Sequence, residues 1–94
     1  MEFRDARLGE YWRGNAKPPR YVPPDVRKRL VRKLQMLAAA RSIADLLTPP
    51  SNRLKRLSGD LDGRYSIRVN DQWRLVFVWN DREGAQDVEF VDYH

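Results

Sequence analysis

The final four residues, Val91-Asp92-Tyr93-His94, put a carboxylate, a phenol and an imidazole on consecutive positions, and His94 is the single histidine of the chain. An imidazole exchanges its proton near neutrality, and a neighbouring carboxylate can orient it. Such a cluster suits acid–base work; a solvated tail is the competing reading. Upstream lies a supply of cations. Arg53, Lys55 and Arg56 crowd the stretch Ser51 to Gly63, and Arg68 and Arg74 flank Val69-Asn70-Asp71-Gln72-Trp73. A guanidinium is a planar fork that meets phosphate through two hydrogen bonds and stacks on bases. Cations with a proton-transfer group are sufficient to cut RNA without a metal. The 2′-OH must lose a proton, the charge growing on the phosphorane must be stabilised, and the 5′-oxygen must gain a proton. Cations meet the second need. Side chains within hydrogen-bond reach meet the other two.

Competing chemistries are excluded by what the chain lacks. Its 94 residues hold no cysteine, so disulfides, thiolate zinc sites and cysteine nucleophiles are out, and one histidine rules out a histidine-based metal cluster. No glycine-rich phosphate loop, GxSxG elbow or HExxH pattern occurs. No metal and no cofactor are expected. No apolar run approaches the roughly 20 residues that span a bilayer, and the charged opening MEFRDARLGEYWR is unlike a signal peptide. The expectation is one soluble, cytoplasmic domain over residues 1–94, with no membrane partner.

The charge is uneven. Residues 1–58 carry fourteen basic and five acidic side chains, whereas residues 59–94 carry four and eight. Fourteen of the eighteen cations are arginine. A basic excess of this kind favours a polyanionic partner, RNA or ribosome ahead of membrane.

These residues need elements to position them. Residues 2–4 suit a brief strand, and Asp5 is placed to cap a short helix through about Trp12. Four prolines between Lys17 and Pro24 forbid regular structure there. From Pro24, Val26, Leu30, Val31, Leu34, Leu37 and Ala38 recur at three- and four-residue steps, giving an amphipathic helix of about fifteen residues. Arg27, Lys28, Arg32 and Lys33 fall off that stripe, on a face that is either solvated or in contact with RNA. Ser42-Ile43-Ala44-Asp45 has the form of a capping box for a one- or two-turn helix.

The remainder predicts three antiparallel strands, Arg64–Val69, Trp73–Trp79 and Asp87–Tyr93. A three-residue loop Asn70-Asp71-Gln72 sets Val69 against Trp73, Ile67 against Leu75 and Tyr65 against Phe77, which gathers the large apolar side chains on one face. A two-residue loop would mix the faces. Extended further, Phe77 meets Val88 and Leu75 meets Phe90. Arg68, Arg74, Val76, Val78, Glu89, Val91 and Tyr93 then share the other face. Arg68 and Arg74 oppose each other directly, an unfavourable pairing unless an anion lies between them. Glu89 and a bound phosphate are both open as that anion. Trp73 belongs to the core.

These residues together resemble a RelE/ParE superfamily toxin of the HigB branch. The likeness runs through Phe3-Arg4-Asp5, Pro49-Pro50-Ser51-Asn52-Arg53-Leu54, Leu57-Ser58-Gly59-Asp60, Tyr65-Ser66-Ile67-Arg68-Val69-Asn70-Asp71-Gln72-Trp73-Arg74 and Val91-Asp92-Tyr93-His94. It implies an α+β fold, a small antiparallel sheet packed against N-terminal helices. It implies a ribosome-dependent mRNA endoribonuclease that acts in the ribosomal A site. The implied partner is a cognate helix-turn-helix, HigA-like antitoxin, through which alone operator DNA is contacted. By position, Arg74 becomes the phosphate-stabilising residue, and Asp92, Tyr93 and His94 fall on the family's catalytic positions. Lys55 stands where some relatives carry a histidine, and Ser58 where many carry a lysine. The resulting assignment is catalysis by Arg74, Asp92, Tyr93, His94 and Lys55, with Arg53, Arg56 and Arg68 holding RNA. A non-cleaving toxin that blocks the ribosome or DNA gyrase, or a weakened toxin acting as co-repressor, is the alternative class.

Overall fold

The computed structural model describes every residue except Asp62, Tyr93 and His94, and only the backbone of Leu61, so the expectations for Tyr93 and His94 lie outside the described residues. Two helices, α1 (Ala6–Trp12) and α2 (Arg27–Ala39), precede four strands: β1 (Lys55–Arg56), β2 (Arg64–Arg68), β3 (Trp73–Asn80) and β4 (Gly84–Asp92). The strands lie in sequence order and each neighbouring pair is antiparallel. This is the α+β architecture expected from the sequence.

Helix α1 starts where Asp5 stops the preceding chain. The Asp5 carboxylate accepts from the Arg7 backbone N–H at 2.9 Å and from the Tyr21 O–H at 2.5 Å. Burial raises the Asp5 pKa, but those hydrogen bonds and the Arg7 cation outweigh it and hold the carboxyl below its ordinary value. Burial and the same carboxylate push the Tyr21 phenol well above its own. Asp5 thus ties α1 to the proline-rich segment. Asp5→Ala should lower stability by about 1–2 kcal/mol through the lost cap alone, read from urea denaturation. Because the folded-state pKa is depressed, the contribution is complete above pH 3.8 and disappears as the pH falls through the depressed value.

A 3₁₀ turn at Pro24–Val26 leads into α2, whose apolar stripe faces the sheet. Val26, Leu30, Leu34 and Leu37 are buried as expected. Ala38 is exposed, and Lys33, expected on the outer face, is buried instead, only 7% accessible. Lys33 lies three residues after Leu30 and four before Leu37, which places it on the stripe. The Ser42 capping box forms, with the Asp45 carboxylate accepting from the Arg41 and Ser42 backbone N–H groups, and it opens a 3₁₀ helix over Ile43–Leu47.

The sheet core joins Leu8, Val22, Leu30, Leu34, Leu37, Ile67, Leu75, Phe77, Val88 and Phe90 with others. Trp73 stacks on Phe90 with ring centroids 4.4 Å apart and planes 8° from parallel, which places Trp73 against the core. The β2–β3 register is the expected one, Tyr65 opposite Phe77, Ile67 opposite Leu75 and Arg68 opposite Arg74. Asn70 fixes the connection by accepting from the backbone N–H groups of Gln72 and Trp73.

Three expectations are corrected. The sheet has a fourth strand, because Lys55 and Arg56 pair with Ser66 and Tyr65 as a short edge. Strand β4 begins at Gly84, earlier than Asp87. Phe77 and Val88 are not a simple pair. Leu75 opposes Phe90 and Val76 opposes Glu89, but Val78 opposes Gln86, so β4 carries one extra residue at this point. The extra residue is accommodated as a bulge in which Asp87 takes a left-handed φ of 53° and pairs with Arg64 at 2.5 Å. Beyond β4, the N-terminal segment docks through one isolated bridge, Phe3 parallel to Val88.

Candidate functional site

The face of the sheet away from α2 carries the cations. Strand alternation gives that face Lys55 on β1, Arg64, Ser66 and Arg68 on β2, and Arg74 and Val76 on β3. Ser66 is wholly buried, and its Oγ accepts from the Arg74 guanidinium at 2.9 Å. The same guanidinium nitrogen donates to the Arg53 carbonyl at 3.3 Å. Arg53 itself has a left-handed φ of 46° at the end of the turn Pro50–Asn52, and this carries its carbonyl toward β3. Two neutral oxygens therefore aim the Arg74 fork, and neither neutralises its charge.

Glu89 is not the anion between Arg68 and Arg74. Its carboxylate reaches the other way, to Arg4 at 3.1 Å. Arg68 pairs with the fully exposed Asp71. The Arg68 contact, together with the nearby Arg53 and Arg29 cations, lowers the Asp71 pKa.

The expected site residues separate into two groups. Lys55, Arg68 and Arg74 come together on one face, with the Arg53 carbonyl beside them. Arg56 pairs with Tyr65 and so belongs to the other face of β1. Asp92 opposes Trp73 at the end of β4, on the side of the sheet opposite Arg74 by alternation, where its carboxylate accepts from Gln72 Nε2 at 3.0 Å.

A second basic region joins part of the basic face of α2, read from the sequence as solvated or in contact with RNA, to segments that the sequence does not link to it. Arg29, Arg32, Lys33 and Met36 of α2, Pro49 and Ser51, and Arg68 and Val69 line a groove of about 350 Å³. Lys33 Nζ donates to Asn52 Oδ1 at 2.5 Å, and Asn52 donates in turn to the Leu46 and Thr48 carbonyls. Burial, then Arg29, Arg32 and Arg68, push the Lys33 pKa below that of a free lysine. Among the described residues, no set of side chains is arranged to hold a metal ion.

This cationic sheet face fits a polyanion, and comparison with known proteins supplies the family. The profile of a family described as the RelE-like toxin of the type II toxin–antitoxin system HigB matches residues 1–94. The chain belongs to the HigB family of RelE-like toxins. Toxin HigB-1 of Vibrio cholerae serotype O1 is 43% identical over 94 residues, covering all of this chain and 96% of the relative. An uncharacterized protein of Haemophilus influenzae is 37% identical over 81 residues, 86% of this chain and 79% of that one. In three dimensions the fold is similar to the YoeB-YefM complex from Staphylococcus aureus, with a TM-score of 0.57 at 20% identity, over 100% of this chain and 95% of the matched chain. That likeness is one of fold. As a HigB-family member, the chain is an mRNA-cleaving toxin with an antitoxin as its partner. No helix among the described residues is long and apolar enough to cross a membrane.

Proposed function

We propose that this HigB-family toxin cuts mRNA in the ribosomal A site by attack of a 2′-OH on the adjacent phosphate, without a metal. The observation that carries the reading is the Arg74 guanidinium, aimed across the sheet by Ser66 and the Arg53 carbonyl and set opposite Arg68. A cation held in place before the reaction stabilises charge without reorganising.

In this reading, the 2′-oxygen forms a bond to phosphorus while the bond from phosphorus to the 5′-oxygen breaks. The products are a 2′,3′-cyclic phosphate and a 5′-OH. Arg74 holds the phosphorane charge, with Lys55 beside it. His94 carries the proton transfers, Asp92 orients His94, and Tyr93 contacts the base or the leaving oxygen. Lys55 at neutral pH is a charge partner and a poor base. Arg53 and Arg68 hold the strand, and Arg56, on the other face of β1, is not part of that contact. A HigA-like helix-turn-helix antitoxin neutralises the toxin and carries the pair to operator DNA. Replacing the nucleotide whose 2′-OH attacks by its 2′-deoxy form should abolish cutting on a programmed ribosome, and the native strand should yield a cyclic phosphate end. A deoxy strand cut at the normal rate would exclude the mechanism.

A further inference from the structure

The sheet-face site leaves an electrostatic arrangement unused. Arg29, Arg32, Lys33 and Arg68 converge on the groove between α2 and residues 49–51, and none of the residues lining it is acidic. Arg29 and Arg32 form no ion pair with a carboxylate among the described residues. Asp71 touches Arg68 from outside, fully exposed to solvent. Lys33 is buried against a neutral acceptor, Asn52, which satisfies a hydrogen bond and leaves the charge uncompensated. Asp71 and Asp25 stand only at its margins, so four cations face one another with few counter-ions, and such local conflict in an otherwise consistent fold marks a functional site.

We propose that this groove is a second RNA-phosphate site, separate from the face that cuts, with Arg68 shared between the two. Three of its four cations are arginine, whose forks take phosphate oxygens two at a time. Its remaining wall includes Met36 and Pro49, which offer apolar surface to a ribose or base, and Ser51. Arg68 lies opposite Arg74 in the sheet and also lines the groove, so one strand of RNA follows a continuous line of cations from the reacting phosphate to α2. The surface continues along α2 past Arg29 and Arg32 to Lys28, and Asp25 marks its far end. The identity of the ligand rests on the RNA-cutting reading above.

The test uses an uncleavable, fully 2′-O-methylated single-stranded oligonucleotide and vacant ribosomes as probes. Arg29→Gln/Arg32→Gln removes two exposed helical cations with little change in helix propensity. Arg41→Gln/Arg82→Gln removes the same charge elsewhere. The groove variant should bind at least about tenfold more weakly, with a salt slope shallower by about 0.7 for each phosphate it no longer neutralises, while the control stays near wild type. Weaker binding of the oligonucleotide assigns the phosphate to the substrate strand. Weaker binding of vacant ribosomes alone assigns it to ribosomal RNA. Unchanged binding of both probes, or equal weakening in both double variants, overturns the site. Groove-dependent binding of a polyglutamate peptide with RNA binding intact also overturns it, in favour of an acidic protein partner. Failure of the cutting reading is distinguishable: a wild-type chain that grips RNA through the groove and cuts nothing retains this site and loses the nuclease.

Discussion

Arg74→Ala should slow cleavage of A-site mRNA by about 10²–10³-fold, the usual loss when one preorganised group on a developing anion is removed. The variant should still fold, because the Arg74 side chain is half-exposed and the hydrophobic core lies on the other face of the sheet. Arg74→Lys keeps the charge and loses the fork, so it should recover only part of the rate. Ser66→Ala tests the aiming of the fork. Ser66 is fully buried and its hydroxyl accepts from Arg74, so the alanine should cost less than Arg74→Ala and leave Arg74 charged but less firmly held. Single-turnover rates measured on programmed ribosomes separate these cases. A wild-type rate for Arg74→Ala would remove the residue from the site.

The second large effect concerns stability. Asn52 is fully buried and is the hydrogen-bond acceptor of a buried lysine. Asn52→Ala leaves the Lys33 ammonium without that acceptor and the Leu46 and Thr48 carbonyls without their donor, and leaving such a buried group unsatisfied costs about 1–3 kcal/mol. Domains of this size hold about 5–15 kcal/mol in total, so the variant should stay folded at 25 °C but unfold at a clearly lower urea concentration and temperature than wild type. Lys33→Met should cost less. It keeps an unbranched side chain, removes the buried charge, and leaves only the neutral Asn52 oxygen without its donor. It should weaken RNA binding through the groove at pH 7. The pH dependence has a definite sign. The folded-state pKa of Lys33 is lowered, so the unfolded chain binds the proton more tightly. The penalty is complete below the lowered value and fades as the pH rises toward 10.5. The urea midpoint of Lys33→Met relative to wild type should fall accordingly between pH 7 and pH 10. A relative midpoint that rises would contradict the burial argument.

The same lysine shows where sequence reading reaches its limit. Charge assigns Lys33 to the solvated face, although its spacing from Leu30 and Leu37 places it on the buried stripe. Periodicity is the better guide. In the sheet, alternation is sufficient between Arg64 and Trp79, because only one loop length puts Tyr65, Ile67 and Val69 against large apolar partners. It fails at Asp87 through a change of parity. Ala85 and Val88 are both buried although an odd number of steps separates them, and a regular strand cannot bury both. That mismatch shows only once β4 is known to begin at Gly84, which a sequence reading that starts the strand at Asp87 excludes. Strand β1 is not visible, since two charged residues carry no pattern. Within the site, the opposition of Arg68 and Arg74 is legible from the register. Their actual partners, Asp71, Ser66 and the Arg53 carbonyl, depend on a turn whose left-handed residue is an arginine, and no composition rule points to that. The α2 groove is hidden for a related reason, because it needs residues from three separate segments.

On the function proposed here, this toxin cuts mRNA only when the message is held in the ribosomal A site. The direct measurement compares one mRNA, end-labelled, free in solution and held in the A site of a purified programmed ribosome, with wild-type protein added to each. A discrete cut within the A-site codon is expected on the ribosome, and an intact strand in solution. Protein bound to the ribosome over an uncut message would contradict that function and make the chain a blocker.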